Sequence, residues 1–354
     1  MNLTLLNLIL NIGRIFAITP SSTETKEKRT ICQVLHSSLM VLVYVACALA
    51  KSYFCGFYKE LYLTKLVVVI ARESSTCAFT SCVVIEALKG SKWNKLTDNL
   101  KLTANLLNVE TNSQRKTAYV KFLGFHLIFW AIVLYVDVYN ILTKVSVDIR
   151  SNLIEKLQSY INFLYSFYIY VLLDMVILRY RRLKEQFDKS EPQFVSEMEH
   201  VNSLLSEIVD ILNDIIGWPI FFLTLITTTE MLLYSDAGVR FGSADGPTLI
   251  LLLMCHAVTN EAETILLLVY RSRTKYANSE IQENFYKLGG VLSKTLPSFS
   301  AAGFFVLNRS TLLNIFGTVI SFLIVLLQTG PPVFDLGSIQ QPNTSKIDES
   351  VDLS

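Results

Sequence analysis

The sequence predicts an all-α membrane protein with seven transmembrane helices, its N-terminus in the cytoplasm and its C-terminus outside. Three observations carry this expectation. Hydrophobic residues make up 51% of the 354 and charged residues only 17%, against roughly 25% charged in an average soluble domain. The apolar residues gather in windows of about 20, the length at which a helix crosses a bilayer with its backbone bonded internally. The basic residues, which nearly balance the acids at 31 against 30, fall unevenly between the loops on the two sides of those windows.

The first window runs from Ile31 to Tyr53 through VLVYVACALA, and the second from Leu66 to Leu88. The third covers Tyr119 to Leu142, and the fourth covers Tyr160 to Arg179 with INFLYSFYIYVLLDMVIL. The fifth, Ile215 to Ser235, holds GWPIFFLTLITTTEMLLY, and the sixth, Pro247 to Tyr270, holds LILLLMCHAVTNEAETILLLV. The seventh, Leu312 to Thr329, is about 25 Å long as a single helix, short for an isolated crossing. Charge interrupts the second, fifth and sixth windows, a pattern of spans that line a polar interior.

Ahead of the first window, Leu5, Leu8, Ile9, Ile12 and Phe16 recur at helical spacing, with Asn7, Asn11 and Arg14 on another face. Arg14 follows the apolar stretch, whereas a signal peptide carries its basic residues before it. Residues 1–30 are therefore expected to be a retained amphipathic arm at the cytoplasmic membrane surface. The run Glu191 to Asp214 places Val201, Leu204, Leu205, Ile208, Ile211 and Leu212 at helical spacing. It reads as a cytoplasmic extension whose apolar face packs subunits together, the alternative being a solvated amphipathic helix.

Cytoplasmic loops collect Lys and Arg. With the N-terminus inside, 21 of the 31 basic residues fall in the N-terminal arm and the second, fourth and sixth loops. Eight fall on the other side, and Arg72 and Lys121 lie within spans. Cys55 alone among the six cysteines stands in an outward loop, so no disulfide is expected there and the others read as small apolar residues. The sequon at Asn343 is expected outside, and those at Asn2 and Asn308 inside.

Several functions are excluded. A net charge of +1 supplies no basic surplus for nucleic acid. The four His, at positions 36, 126, 200 and 256, occupy four different elements without metal-ligand spacing, and no phosphate-cradling glycine loop occurs. No enzyme activity, metal or cofactor is expected. The two halves lack the matching interrupted helices of an inverted-repeat transporter.

Ionisable residues inside spans are costly and mark candidate sites. The outward halves carry Arg72 and Glu73 on the second span, Asp137 with Tyr135 and Tyr139 on the third, and Tyr165 and Tyr168 on the fourth. Thr227 and Glu230 on the fifth, with His256, Asn260 and Glu261 on the sixth, complete the set. Such residues line an aromatic and polar pocket for a small molecule, or else Arg72 pairs with Glu230 or Asp137 across helices and the tyrosines anchor at the interface. Asp174 and Glu263 sit nearer the inner side, within reach of basic residues such as Arg179.

At the C-terminus, FSAAGFFVLNRSTLLNIFGTVISFLIVLLQT resembles the signature end of insect gustatory receptors. Their last helix carries Thr-Tyr, five hydrophobic residues, then Gln-Phe. Here Ser321-Phe322 precedes Leu323 to Leu327 and Gln328-Thr329, and Ala302-Gly303-Phe304-Phe305 resembles the family's lead-in. Ser and Phe for Thr and Tyr are mild departures; Thr329 for Phe is not. CHAVTNEAETILLLVY with Glu261, and Leu8 to Pro20 with Arg14, are similar to the family more weakly.

The resemblance implies a homotetrameric or heterotetrameric, ligand-gated, non-selective cation channel opened by a tastant in the plasma membrane of gustatory neurons. It implies an inverted seven-helix topology, a six-helix transmembrane region over 31–270, a cytoplasmic anchor segment over 271–311, a pore helix over 312–329 and an extracellular tail over 330–354. Four copies of the last helix would line the pore. Helical spacing puts Ser321, Ile324 or Val325, and Gln328 on one stripe, with Gly317 a turn back, and mixed small, polar and apolar groups suit a pore that closes by dewetting. By the same resemblance Gln328 and Thr329 form the outer constriction. The competing seven-helix readings are a metabotropic receptor and a secondary transporter.

Overall fold

The apolar windows become helices, but the helices outrun the windows. The structure, a computed structural model, describes residues 11–19, 31–54, 63–108, 112–142, 149–189, 195–235, 245–274 and 279–329. The helices are α1 (Ile31–Phe54), α2 (Leu63–Leu88), α3 (Gly90–Leu106), α4 (Asn112–Leu142), α5 (Ile149–Lys189), α6 (Val195–Ser235), α7 (Asp245–Arg273), α8 (Ser279–Lys294) and α9 (Arg309–Thr329). Between α8 and α9, β1 (Ser300–Ala301) pairs antiparallel with β2 (Phe305–Val306). The sequons at Asn2 and Asn343, Cys55, the apolar positions Leu5, Leu8 and Ile9, and the tail over 330–354 lie outside the described residues.

Six of these helices carry segments long and apolar enough to cross a membrane: α1, α2, α4, α5, α6 and α7. The seventh, α9, has 21 residues. It begins at Arg309, three residues before its hydropathy window, and so reaches about 31 Å, the thickness of the hydrocarbon core. Asn308 Oδ1 accepts the Thr311 N–H at 2.9 Å, capping the first turn as Asn does at helix starts.

In the spanning bundle α5 is the central helix, with 72% of its apolar window buried against 11% for α1 and for α4. The outer helices turn Leu35, Leu39, Leu42, Leu123, Leu127 and Leu134 outward, which is the lipid-facing surface a membrane bundle needs.

At 41 residues each, α5 and α6 are about 60 Å long, twice the hydrocarbon thickness. Their lower halves form a second layer beyond the spans. The connection read as a basic loop after the second window is in fact α3, which buries Trp93, Leu96, Thr97, Leu100, Thr103 and Ala104 on one face. That face meets the α6 extension, where Val201, Leu205, Ile208 and Leu212 are fully buried within the single chain. This corrects the assignment of those residues to subunit packing: α3 and α8 of the same chain already cover them. Lys92 pairs with Asp214 at 2.9 Å, Lys95 pairs with Glu207, and Asn202 donates to Thr295 Oγ1 at 3.1 Å.

Arg179 seals the joint between α3 and α5. It is buried, and its guanidinium donates to Thr103 Oγ1 at 3.0 Å, to the Leu100 carbonyl at 2.9 Å and to the Met175 carbonyl at 2.6 Å. A cation beside the last turns of α3 complements the negative end of that helix.

Residues 11–15 are helical. The Ile18 N–H bonds the Gly13 carbonyl at 2.9 Å and the Ala17 N–H bonds Arg14 at 3.1 Å, closing a Schellman turn with Ala17 at φ 54°. A Cβ on Gly13 would lie 2.4 Å from Thr19 Cγ2. Tyr44 on α1 donates its hydroxyl to the Phe16 carbonyl at 2.6 Å, and the Phe16 ring meets Tyr160 on α5. Residues 17–19 are buried, so this segment docks into the bundle.

Candidate functional site

Arg72, Glu73, Glu155 and Glu230 meet toward the end of the bundle where α2 begins. Arg72 Nη2 lies 2.8 Å from Glu230 Oε1 on α6 and 3.0 Å from Glu155 Oε1 on α5, with Glu73 3.7 Å from Nη1. Arg72 is only 12% exposed. One guanidinium thus ties three helices through a planar fork that fits carboxylates. A few ångströms along the chain from Glu155, Lys156 pairs with Asp137 on α4. On α6, Thr227 donates to Thr248 on α7 at 3.0 Å in a buried bond. Of the two options open for Arg72, the structure shows the cross-helix pairing with Glu230, while Asp137 is taken by Lys156.

Other candidates stand elsewhere. From Glu155 to Arg181 there are 26 residues of continuous helix, about 39 Å. Arg181 holds Glu261 at 2.7 Å, so Glu261 lies farther from Arg72 than a hydrocarbon core is thick and shares no pocket with Glu230. The exposed Asn260 and half-buried His256 precede it on α7. Tyr165 and Tyr168 lie about 15 and 20 Å down α5 from Glu155. Tyr165 meets Phe79 edge-on at 5.4 Å, and Tyr168 meets Trp93 of α3 at 5.5 Å, which puts Tyr168 at the inner rather than the outer half. Tyr135 is 65% exposed on α4, away from the interior. The side chain of Tyr139 lies outside those described.

Asp174 takes Lys121 at 3.2 Å, leaving Arg179 to Leu100 and Thr103 of α3. Sequence reasoning did not single out Glu155, which it left in a loop, nor Glu86, Asn162 and Ser166. The signal for Glu155 was the helical pattern upstream of the fourth window, which begins at Ile149.

A ladder of aromatic rings joins α4 to α5. Phe129 stacks on Phe163 at 4.7 Å, Phe125 meets Phe167 at 5.6 Å, and His126 stands edge-on to Phe163 at 5.0 Å. These rings pack α4 against the central helix between the Lys121–Asp174 and Lys156–Asp137 pairs.

At the lower end, the hairpin before α9 grips α6. The Ser300 N–H donates to Asn213 Oδ1 at 2.8 Å, and the hairpin backbone passes so close to Gly217 that a Cβ there would meet Ala302 N at 3.2 Å. Gly303 turns the hairpin at φ 81°, a conformation glycine adopts freely. Phe304 at its tip stacks on Phe221 at 4.8 Å and meets Trp218 at 5.9 Å. Pro219 lies within α6 beside this contact.

The hairpin leads directly into α9. Leu313, Ile320 and Ile324 of that helix are exposed, and so are Asn314, Gly317, Thr318 and Ser321. By helical spacing these seven cover nearly half the circumference, a mixed apolar and polar face uncovered in the single chain. The side chains of Val325, Gln328 and Thr329 lie outside those described.

Residues 247–331, which comprise nearly all of α7 together with α8, the hairpin and α9, match the family model of the 7tm chemosensory receptors. No curated protein sequence matches the chain. The fold is similar to that of the insect olfactory receptor OR5 from Machilis hrabei, at TM-score 0.65 and 12% identity, covering 92% of this chain and 97% of that one. The same receptor in complex with eugenol gives TM-score 0.60 and 14% identity over 92% and 98%. Over 92% of its length the chain therefore carries the fold of an insect olfactory receptor, and residues 247–331 are similar to the chemosensory receptors.

Proposed function

We propose that this chain is a ligand-gated, non-selective cation channel of the insect taste-receptor type, opened by a small-molecule tastant at the plasma membrane of gustatory neurons. The observation that carries the proposal is α9. A span with Asn314, Thr318 and Ser321 exposed along one face is costly against lipid and well suited to a water-filled path. Four copies, from this chain alone or with related receptors, would bring those faces together around an axis. Ser321, Ile324, Val325, Gln328 and Thr329 would then line the pore toward its outer mouth.

The distribution of basic residues supports a cytoplasmic N-terminus and an external C-terminus, the reverse of a metabotropic seven-helix receptor. The ligand would sit in the upper spans, near Thr227, Glu230 and the Arg72 network, where its binding shifts α6. Pro219, Gly217 and the hairpin then link α6 to α9.

Expression of the full chain in a heterologous cell with an epitope tag at each terminus tests both halves of this reading. We expect the C-terminal tag to be reached by antibody without permeabilisation, and tastant-evoked cation currents to persist in excised patches without nucleotide. An external N-terminal tag, or currents that vanish on excision, would contradict it.

A further inference from the structure

An Arg three residues before a Ser or Thr is the charge pattern that basophilic protein kinases read in their acidic clefts. The chain carries it three times, at Arg72 with Ser75, Arg240 with Ser243, and Arg271 with Thr274. The first is closed to a kinase, because Arg72 is held by carboxylates and Ser75 is buried. The second falls in a loop that the distribution of basic residues places outside. The third closes α7 on the opposite side, with Arg273 directly before Thr274 and Lys275 directly after it. Arg271, Arg273 and Thr274 are all exposed, and helix ends fray, so this last turn can open into a cleft. From Glu261, already beyond a hydrocarbon thickness from Arg72, the chain runs 13 further residues to Thr274, about 20 Å as helix. That distance leaves room for an enzyme beside the membrane.

Thr274 also stands where a phosphate changes packing. Its hydroxyl donates to the Arg271 carbonyl at 2.8 Å. The Arg273 guanidinium lies over the ring of Tyr286 on α8, 5.0 Å from its centroid. One turn on, Gly289 lies so close to Tyr270 of α7 that a Cβ there would stand 2.9 Å from Tyr270 Cε1. These contacts hold α8 to α7. A phosphate on Thr274 would place nearly two negative charges against the negative end of α7, and it would attract guanidinium groups. It removes the hydroxyl donor from the Arg271 carbonyl and competes with Tyr286 for Arg273.

We propose that Thr274 is a phosphoacceptor for a basophilic protein kinase, and that its phosphorylation loosens α8 from α7. The inference rests on the cytoplasmic placement of this end in the proposed function and goes beyond it by naming a covalent control. The co-substrate is ATP. A bond forms between Thr274 Oγ1 and the γ-phosphorus as the bond from that phosphorus to the β,γ-bridging oxygen breaks. ADP leaves, and the hydroxyl proton passes to a base of the kinase.

Purified full-length chain in lipid nanodiscs, open on both faces, is incubated with ATP and either the catalytic subunit of a cAMP-dependent kinase or a kinase that selects acidic flanks. Phosphopeptide mass spectrometry reads the site, and hydrogen exchange reads α8. We expect the basophilic kinase alone to modify Thr274, Arg271→Gln to slow transfer about tenfold, the worth of one charge-assisted hydrogen bond, and Thr274→Ala to abolish it. Exchange over 280–290 should quicken in the phosphorylated chain, and Arg273→Gln should reproduce that change without phosphate. The same phosphopeptide should appear in intact cells when cAMP is raised. Equal transfer by both kinases, an unchanged rate in Arg271→Gln, phosphate only on other residues, or unaltered exchange over α8 each overturns the proposal. So does transfer in nanodiscs but not in cells whose N-terminal tag is internal, an outcome that leaves the topology intact. None of these readouts is a current, so a phosphorylated chain without tastant-evoked current removes the channel reading and leaves this inference standing.

Discussion

Arg72 gathers Glu73, Glu155 and Glu230 around one guanidinium. Arg72→Gln takes the guanidinium from Glu230, its most buried partner, and breaking a buried pair in this way costs about 3–5 kcal/mol. We expect a marked fall in unfolding temperature in detergent, and recovery in the charge-swapped double variant Arg72→Glu with Glu230→Arg. Ala17 offers a change of the opposite sign. It occupies the left-handed position of a helix end at φ 54°, where a side chain costs about 1 kcal/mol. Ala17→Gly should raise the unfolding temperature slightly.

Arg72 was legible in the sequence because a charge in an apolar window must find a partner, and only a few were within reach. Glu155 was not, because hydropathy ends a span where polar residues begin, although the helix continues.

The link between α6 and α9 depends on one missing side chain. Gly217 allows the hairpin backbone to lie on α6, and a Cβ there would crowd Ala302 N at 3.2 Å. Gly217→Ala needs a shift of a few tenths of an ångström and should be tolerated. Gly217→Val should lift the hairpin and break the Phe304–Phe221 stack. On the channel reading, its ligand-evoked current disappears while surface expression, measured by biotinylation, persists. The helices themselves were largely readable from apolar windows. What hydropathy could not register was the amphipathic α3, whose buried positions Trp93, Leu96, Leu100 and Ala104 alternate with lysines and average out as a loop. The same blindness misplaced Glu261: a window shows that a helix is apolar, not how far it protrudes.

Across the whole molecule, the uneven distribution of basic residues now has a structural counterpart. Lys92 and Lys95 are spent on the acids of the α6 extension, so the charge excess of that side is partly absorbed by an internal layer. The resemblance of the pore helix to taste receptors extends to Gln328 but departs at Thr329. If four Thr329 side chains stand where a relative has Phe, the closed pore admits water more readily. We expect a higher resting current than in Thr329→Phe, recorded in the same cells without ligand; equal currents would place the constriction elsewhere. The stripe of α9 was legible as helical spacing, but its exposure was not, since only the fold shows that Asn314, Gly317, Thr318 and Ser321 stand uncovered among the described residues.

The layer built by α3, α6 and α8 also sets a timetable. During synthesis α3 is complete about 90 residues before the first turn of α6 emerges, a delay of roughly 5–20 s at ribosomal speed. Until then Trp93, Leu96 and Leu100 have at most the partial cover of α5, whose Tyr168 meets Trp93, and the layer closes only with Leu288 and Leu292 of α8, which are buried in the finished fold. The nascent chain therefore displays an incompletely covered apolar stripe until α6 and α8 are made. Its yield in a foreign cell should depend on the chaperones that meet that stripe as much as on membrane insertion.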